Sequence, residues 1–158
     1  MRADEMLNLL HSPQWIAKLL HQFLSGASSI NKNGIKLELI YFALPFVFDE
    51  AIQKKLCTSN TRSTFTSVFN NNDLKNQLIG MDDKINDFKK ITNKGLIYLG
   101  NLTEMYISEY ISVSDKMKYS NESNPVIKEY CKAAYNWGII LSKADYRNLF
   151  IKVGVTNI

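Results

Sequence analysis

Apolar residues recur at helical spacing in several segments of the chain, and short polar signals mark where these segments start and stop. Ser12-Pro13 and Asn124-Pro125 each place an N-cap residue before a proline that suits the first helical turn. The glycines Gly26 and Gly154 are typical of helix ends. The pattern predicts helices from Pro13 to about 25, over 81–102, from Pro125 onwards, and over about 146–153.

The segment 34–56 is harder to assign, because alternation at Ile35 and Leu37 gives way to the apolar run Leu39–Phe48. The run is too long and too continuous for a half-buried strand, and good helix formers follow it. We therefore predict one buried helix, bent or broken at Pro45, where a backbone hydrogen bond is lost. Two short helical pieces are predicted after it, at 65–69 and at 73–78 with Asp73 as N-cap.

Polar and apolar residues alternate with a period of two over 103–113, which indicates a strand or the arm of a hairpin, with the polar segment 115–124 as its tip. The fold class is then mainly α with one small β ribbon, in a single domain over 1–158. A winged-helix-like domain is one interpretation, with a helical part over 1–80, a winged part over about 81–123 and C-terminal helices over 124–158. An irregular helical bundle with one hairpin is the alternative.

Composition narrows the class of protein without defining its function. The chain has 158 residues, which is long enough to form a hydrophobic core. Its net charge of +4 is too small for a histone-like nucleic-acid binder. The acidic N-terminus does not suit a secretory signal, and ten apolar residues cannot cross a bilayer. We expect a cytoplasmic protein. Two cysteines, Cys57 and Cys131, favour the interpretation of free thiols in a reducing compartment. A single disulfide bond between them is the alternative.

The sequence lacks the motifs that carry common chemistry. Neither a phosphate-binding loop nor a nucleophile elbow is present. His11 and His21 have no neighbours at metal-ligand spacing. Asp49, Glu50 and Lys54 could suggest a nuclease, but a surface ion pair between residues four apart explains them better. We predict no catalytic residue, no cofactor and no metal, and therefore no enzyme and no small-molecule substrate.

Two groups of lysines are candidate nucleic-acid contacts. Lys89, Lys90 and Lys94 lie on one predicted helix, and Lys116 and Lys118 lie at the predicted wing tip. A recognition helix and a wing could grip phosphates in this way. Aspartates are interleaved with these lysines, so a solvated face is the competing interpretation.

Aromatic side chains suggest a contact with another protein. Phe46 and Phe48 belong to a helix that is apolar on all sides, and such a helix is either central or partly at an interface. The C-terminal helices add Tyr146 and Phe150. On apolarity alone, these four residues are the candidate partner interface.

Four stretches of the chain share their pattern with a known family. They are SPQWIAKLLHQFL, IKLELIYFALPFVFDEAIQKKL, KKITNKGLIYLGNL and KAAYNWGIILSKADYRNLFIKVGV. Lys132 to Gly138 and Leu44-Pro45 carry the likeness most clearly. With these stretches the chain resembles the middle-component family of three-component ABC systems, the small subunit of Lamassu-type bacterial defence operons.

The resemblance implies a non-enzymatic subunit that works with an SMC-like ABC ATPase dimer and an effector, commonly a nuclease. In such systems the ATPase senses phage or plasmid DNA, and the small subunit helps to hold the effector inactive. DNA would be reached through the complex, without a membrane. A stand-alone winged-helix DNA-binding protein is the alternative function.

Overall fold

The computed structural model describes residues 2–156, apart from the side chain of Met6. Residues 1, 157 and 158 of the predicted single domain lie outside that range. The fold is mainly α-helical with a small antiparallel sheet, so the predicted fold class is confirmed. The elements are α1 (Ala3–Leu10), α2 (Pro13–Ile30), β1 (Ile35–Lys36), a 3-10 helix (Leu37–Phe42), α3 (Ala43–Val47), α4 (Glu50–Cys57), α5 (Phe65–Val68), α6 (Asn72–Asn76), α7 (Met81–Leu102), β2 (Met105–Ile107), β3 (Tyr110–Val113), a short 3-10 helix (Tyr119–Asn121), α8 (Pro125–Ser142) and α9 (Tyr146–Val153).

The two helices that open with a capped proline, α2 and α8, pack against each other and form the centre of the core. Gly26 and Gly138 lie at the crossing, where the backbones of the two helices approach without side chains between them. A Cβ on Gly26 would overlap the carbonyl oxygen of Tyr135. The prediction that Gly26 ends α2 is therefore wrong, because this glycine serves close helix packing inside a helix that continues to Ile30.

The long helix α7 packs on the other side of α2, as its apolar stripe predicts. Met81, Ile85 and Leu99 are buried along this face. Gly95 faces Ile16 of α2, and a Cβ there would lie 3.0 Å from the Leu20 side chain. Helix α7 therefore forms one wall of the core and presents its opposite face to solvent.

The segment 34–56 is not the single helix that its apolarity predicts. It forms β1, a 3-10 helix and two short α-helices, and the break falls at Phe48–Asp49 after α3 rather than at Pro45. Asp49 N-caps α4, since its Oδ1 accepts a hydrogen bond from the Ile52 N–H at 3.1 Å. Pro45 is the third residue of α3 and lies in its first turn, where the N–H groups have no acceptor within the helix, so a missing N–H costs little.

In the described part of the chain the strands form one sheet with the order β1-β3-β2. Ile35 pairs with Ile111, and Met105 pairs with Val113, both in antiparallel register. The alternating segment is thus itself a hairpin that turns at 108–109. Residues 115–124 are not the wing tip that the sequence predicts, because they connect β3 to α8 and return to the side of α2.

A buried amide ties α8 to the end of α4. Asn136 is 5% exposed, and its Nδ2 donates hydrogen bonds to the carbonyl oxygens of Leu56 at 2.8 Å and Ser59 at 3.1 Å. Replacing Asn136 by alanine leaves these carbonyls without their donor, so we expect the free energy of unfolding to fall by about 1–3 kcal/mol. Urea titration followed by circular dichroism measures this change.

Asn93→Ala is the matched control for that substitution. Asn93 also lies inside a helix, but its Oδ1 accepts its hydrogen bond from the Tyr41 hydroxyl at an exposed position. We expect a change within about 0.5 kcal/mol. Equal losses for the two variants would contradict a structural role for the buried amide.

Candidate functional site

Phe46, the first candidate interface residue, lies inside the chain's own core. It is fully buried, and its ring centroid is 4.7 Å from that of Trp137 and 6.1 Å from that of Phe69. Its side chain is not on the surface, so the core accounts for its apolarity without a partner. Phe48 is half-buried and stacks on Phe88 with 5.9 Å between centroids.

The other two candidate interface residues lie on α9 and are half-buried. Tyr146 and Phe150 meet edge to face with 5.8 Å between their ring centroids. Phe150 also reaches Phe42 of the core, and the Lys36 ammonium lies 5.2 Å from the centre of the Tyr146 ring. These aromatics anchor α9 to the body of the protein and keep part of their surface exposed.

The lysines of α7 divide between solvent and an aromatic neighbour. Lys90 and Lys94 are exposed, whereas Lys89 is half-buried with its ammonium 5.9 Å from the centre of the Tyr41 ring. Asp83 and Asp87 are exposed on the same helix. The exposed face of α7, which the sequence predicts as a nucleic-acid contact, therefore carries both positive and negative charges.

Lys116 and Lys118 are exposed, but they do not sit on a wing. Their segment is fastened to α2, where the Met117 N–H donates a hydrogen bond to the Ser25 hydroxyl at 2.9 Å. Lys18 of α2 pairs with Glu122 further along the same segment, and this hydrogen bond lowers the pKa of the Glu122 carboxyl. The two predicted groups of lysines are thus carried by different elements, α7 and the β3–α8 connection.

An open groove that the sequence analysis missed lies between the α5–α6 region and α9. It has a volume of about 680 Å³. Phe65 and Phe69 line it on one side, and Ile151 and Val153 line it on the other.

Helix α6 begins after Asn71, whose Oδ1 accepts a hydrogen bond from the Asp73 N–H at 2.7 Å, so the prediction that Asp73 is the N-cap is wrong.

Among the described residues that line this groove there is no cysteine, histidine, aspartate or glutamate. Both cysteines are free thiols, and burial raises the pKa of Cys131 to about 11 and also raises the pKa of Cys57. Within residues 2–156, no group of three or more His, Cys, Asp and Glu side chains is arranged to hold a metal ion. Glu50 and Lys54 form the ion pair predicted for them, with 3.1 Å between carboxylate oxygen and ammonium nitrogen.

A helix that spans a bilayer must be long and apolar, and this requirement can be applied to the helices of the chain. Among the described residues, none of them is long and apolar enough to span a membrane.

These features define a small, mainly α-helical protein that displays an open apolar groove beside its C-terminal helix. The chain belongs to the family of ABC-three component (ABC-3C) system Middle Component 3, MC3, because the model of that family matches residues 2–157. This match confirms the middle-component resemblance across nearly the whole chain. No curated protein and no solved structure matches the chain.

Proposed function

We propose that this chain is a non-catalytic accessory subunit that works in the cytoplasm within a bacterial defence complex against phage and plasmids. In this proposal it holds or regulates an effector, such as a nuclease, on an SMC-like ABC ATPase dimer of the Lamassu type. Membership of the MC3 family supports a role beside the other components of an ABC-three component system.

The observation that carries the proposal is the open apolar groove. Ile79 and Ile151 at the groove are 79% and 78% exposed, so large aliphatic side chains face water on both of its sides. Large contiguous apolar patches mark surfaces that bind other proteins, and both isoleucines line this one groove with other apolar side chains. A subunit whose task is assembly needs such a surface and needs no catalytic group.

DNA enters the proposal through the complex. Lys90, Lys94, Lys116 and Lys118 are exposed and could add phosphate contacts once the ATPase has positioned the subunit. The aspartates beside the lysines of α7 favour this role over tight binding by the isolated chain, and the segment of Lys116 and Lys118 packs on α2 instead of forming a wing. A stand-alone DNA-binding protein is the competing function.

Co-purification from the native locus tests the assembly. We expect a chain tagged at its N-terminus to retain the ATPase and the effector in fixed ratio through size-exclusion chromatography. The same chain expressed without its neighbouring genes is the control for the tag. A monodisperse chain that retains neither component would contradict the proposal.

Titration with duplex DNA separates the competing function. The isolated chain is expected to bind a duplex weakly even at low salt. Tight binding that falls steeply with salt and is lost on Lys90→Glu and Lys94→Glu would favour the stand-alone DNA-binding protein instead.

A further inference from the structure

One wall of the groove beside α9 is only partly packed against the hydrophobic core. Helix α6 has no buried residue, and Leu74 and Leu78 in its segment are only half-buried. Most helices of a small domain are held by burying one face. Segment 72–80 therefore forms a wall that stands partly away from the core, and the groove separates it from α9.

The exposed isoleucines make this groove different from an ordinary surface depression. Ile79 and Ile151 keep more than three quarters of their surface in water, although they flank buried apolar side chains such as Phe65 and Phe69. Covering an exposed aliphatic side chain is favourable, since the stabilisation follows the apolar area removed from water. An occupant that covered both isoleucines would extend the aromatic cluster of the core outwards.

Charge indicates the chemistry of the occupant. Lys75 and Lys152 lie at the groove, and the Lys152 ammonium is 5.6 Å from the centre of the Phe65 ring. No carboxylate is found among the described residues that line it. Complementary charge steers and selects partners at interfaces, so an occupant with carboxylates beside its apolar residues fits this surface.

The open shape indicates the kind of occupant. A small-molecule site encloses most of its ligand, whereas this groove leaves its isoleucines at the rim almost fully exposed. A helix laid in a groove buries one apolar stripe and keeps its other face in water. The exposed isoleucines suit the edges of such a stripe.

We propose that this groove binds an amphipathic helix with acidic flanks, contributed by another protein component of the same ABC-three component system. This inference rests on the proposed function and adds to it the surface and the chemistry of the contact. The apolar stripe of the helix covers Ile79 and Ile151, and its carboxylates face Lys75 and Lys152.

Substitutions at the rim test the apolar part. We would purify the complex, confirm which component the full chain binds, and measure that affinity for the double variant Ile79→Gln and Ile151→Gln. Because the bound helix would cover both isoleucines, we expect their replacement to weaken the affinity by about 100-fold. Ile97→Gln is the matched control, since Ile97 is 70% exposed on α7, away from the groove, and should leave affinity unchanged.

Charge reversal tests the acidic flanks and leaves both isoleucines in place. Lys75→Glu with Lys152→Glu is expected to weaken binding about tenfold, with a smaller effect at high salt because exposed charges are screened. Lys32→Glu with Lys128→Glu makes the same change of net charge at exposed positions elsewhere and should have no such effect. Thermal unfolding of each variant shows whether the fold is intact.

Photo-cross-linking identifies the occupant directly. A benzoylphenylalanine at position 151 of the full chain in the complex is expected to label an acid-flanked, amphipathic helical segment of another component. Labelling of a second copy of this chain, or of a segment without carboxylates, would overturn the proposal. Unchanged affinity of the isoleucine double variant in an intact complex would overturn it alone, whereas a wild-type chain that binds no component would overturn the proposed function as well.

Discussion

Replacing Gly138 by alanine is expected to lower the free energy of unfolding by about 3 kcal/mol, the upper range for overpacking a close-packed core. A Cβ at this position would overlap the carbonyl oxygen of Phe23 and lie 3.0 Å from the Ala27 nitrogen. These are backbone atoms of a helix, so they cannot turn aside as a flexible side chain could. Helices α2 and α8 must move apart, which opens the core along their whole contact.

Gly100→Ala is the matched control, because Gly100 also lies within a helix but faces only the flexible end of Met105, 3.3 Å from an added Cβ. Alanine favours the helix over glycine, so this variant should be more stable by up to about 1 kcal/mol. Urea unfolding of both variants measures the difference. A Gly138→Ala protein as stable as the wild type would show that the helices do not cross this closely.

Trp137→Ala is expected to cost about 3–5 kcal/mol of unfolding free energy, as for other large aromatic side chains removed from a core. Trp137 is fully buried, and its ring packs against Phe46, Phe65 and Phe69. Its indole N–H also donates a hydrogen bond to the Phe42 carbonyl oxygen at 3.0 Å. Total stabilities of about 5–15 kcal/mol are typical, so this one change can remove much of the margin.

Trp137→Phe separates packing from hydrogen bonding at the same position. The smaller ring keeps most aromatic contacts and leaves the Phe42 carbonyl without its donor, so we expect a loss smaller than that of alanine. Thermal and urea unfolding of the two variants give the order. An alanine variant no less stable than the phenylalanine variant would mean that the aromatic cluster contributes little.

Local signals predict the starts of α2 and α8 and the end of α9 well. Ser12 caps α2 and Asn124 caps α8, each just before its proline, and Gly154 ends α9 with a positive φ of 78°. Each of these signals depends on neighbours within a few residues, which the sequence displays directly. Gly26 misleads for the opposite reason, since its role is set by Tyr135, more than a hundred residues away.

The prediction of a single helix over 34–56 is wrong, because apolar residues there indicate burial and do not specify a backbone conformation. Phe42, Leu44 and Phe46 are all buried, whether they belong to one long helix or to the short elements that form. The pairing of Ile35 with Ile111 draws the start of the segment into the sheet, and Asp49 starts a new helix near its end. Tertiary contacts override the continuous helical propensity.

The candidate site shows that apolarity in the sequence also does not separate buried residues from exposed ones. Apolarity in the sequence points to Phe46, which is internal, and does not point to Ile79 and Ile151, which are exposed. Ile79 follows an Asn-rich segment with a weak pattern, and Ile151 directly follows Leu149 and Phe150 in a continuous apolar run of α9. Leu78 and Ile79 are adjacent in the sequence, so one short helix cannot turn both side chains towards the core, and this is the signal that could have drawn attention to Ile79.

The close crossing of α2 and α8 has a consequence for the order of events during synthesis. The apolar face of α2 leaves the ribosome more than a hundred residues before its partner on α8. At about 5–20 residues per second this interval is on the order of ten seconds. Throughout it, Phe23 and Ala27 have no native cover, so the nascent chain is exposed to misassociation, and a fragment that stops before residue 125 lacks the helix around which its own core is built.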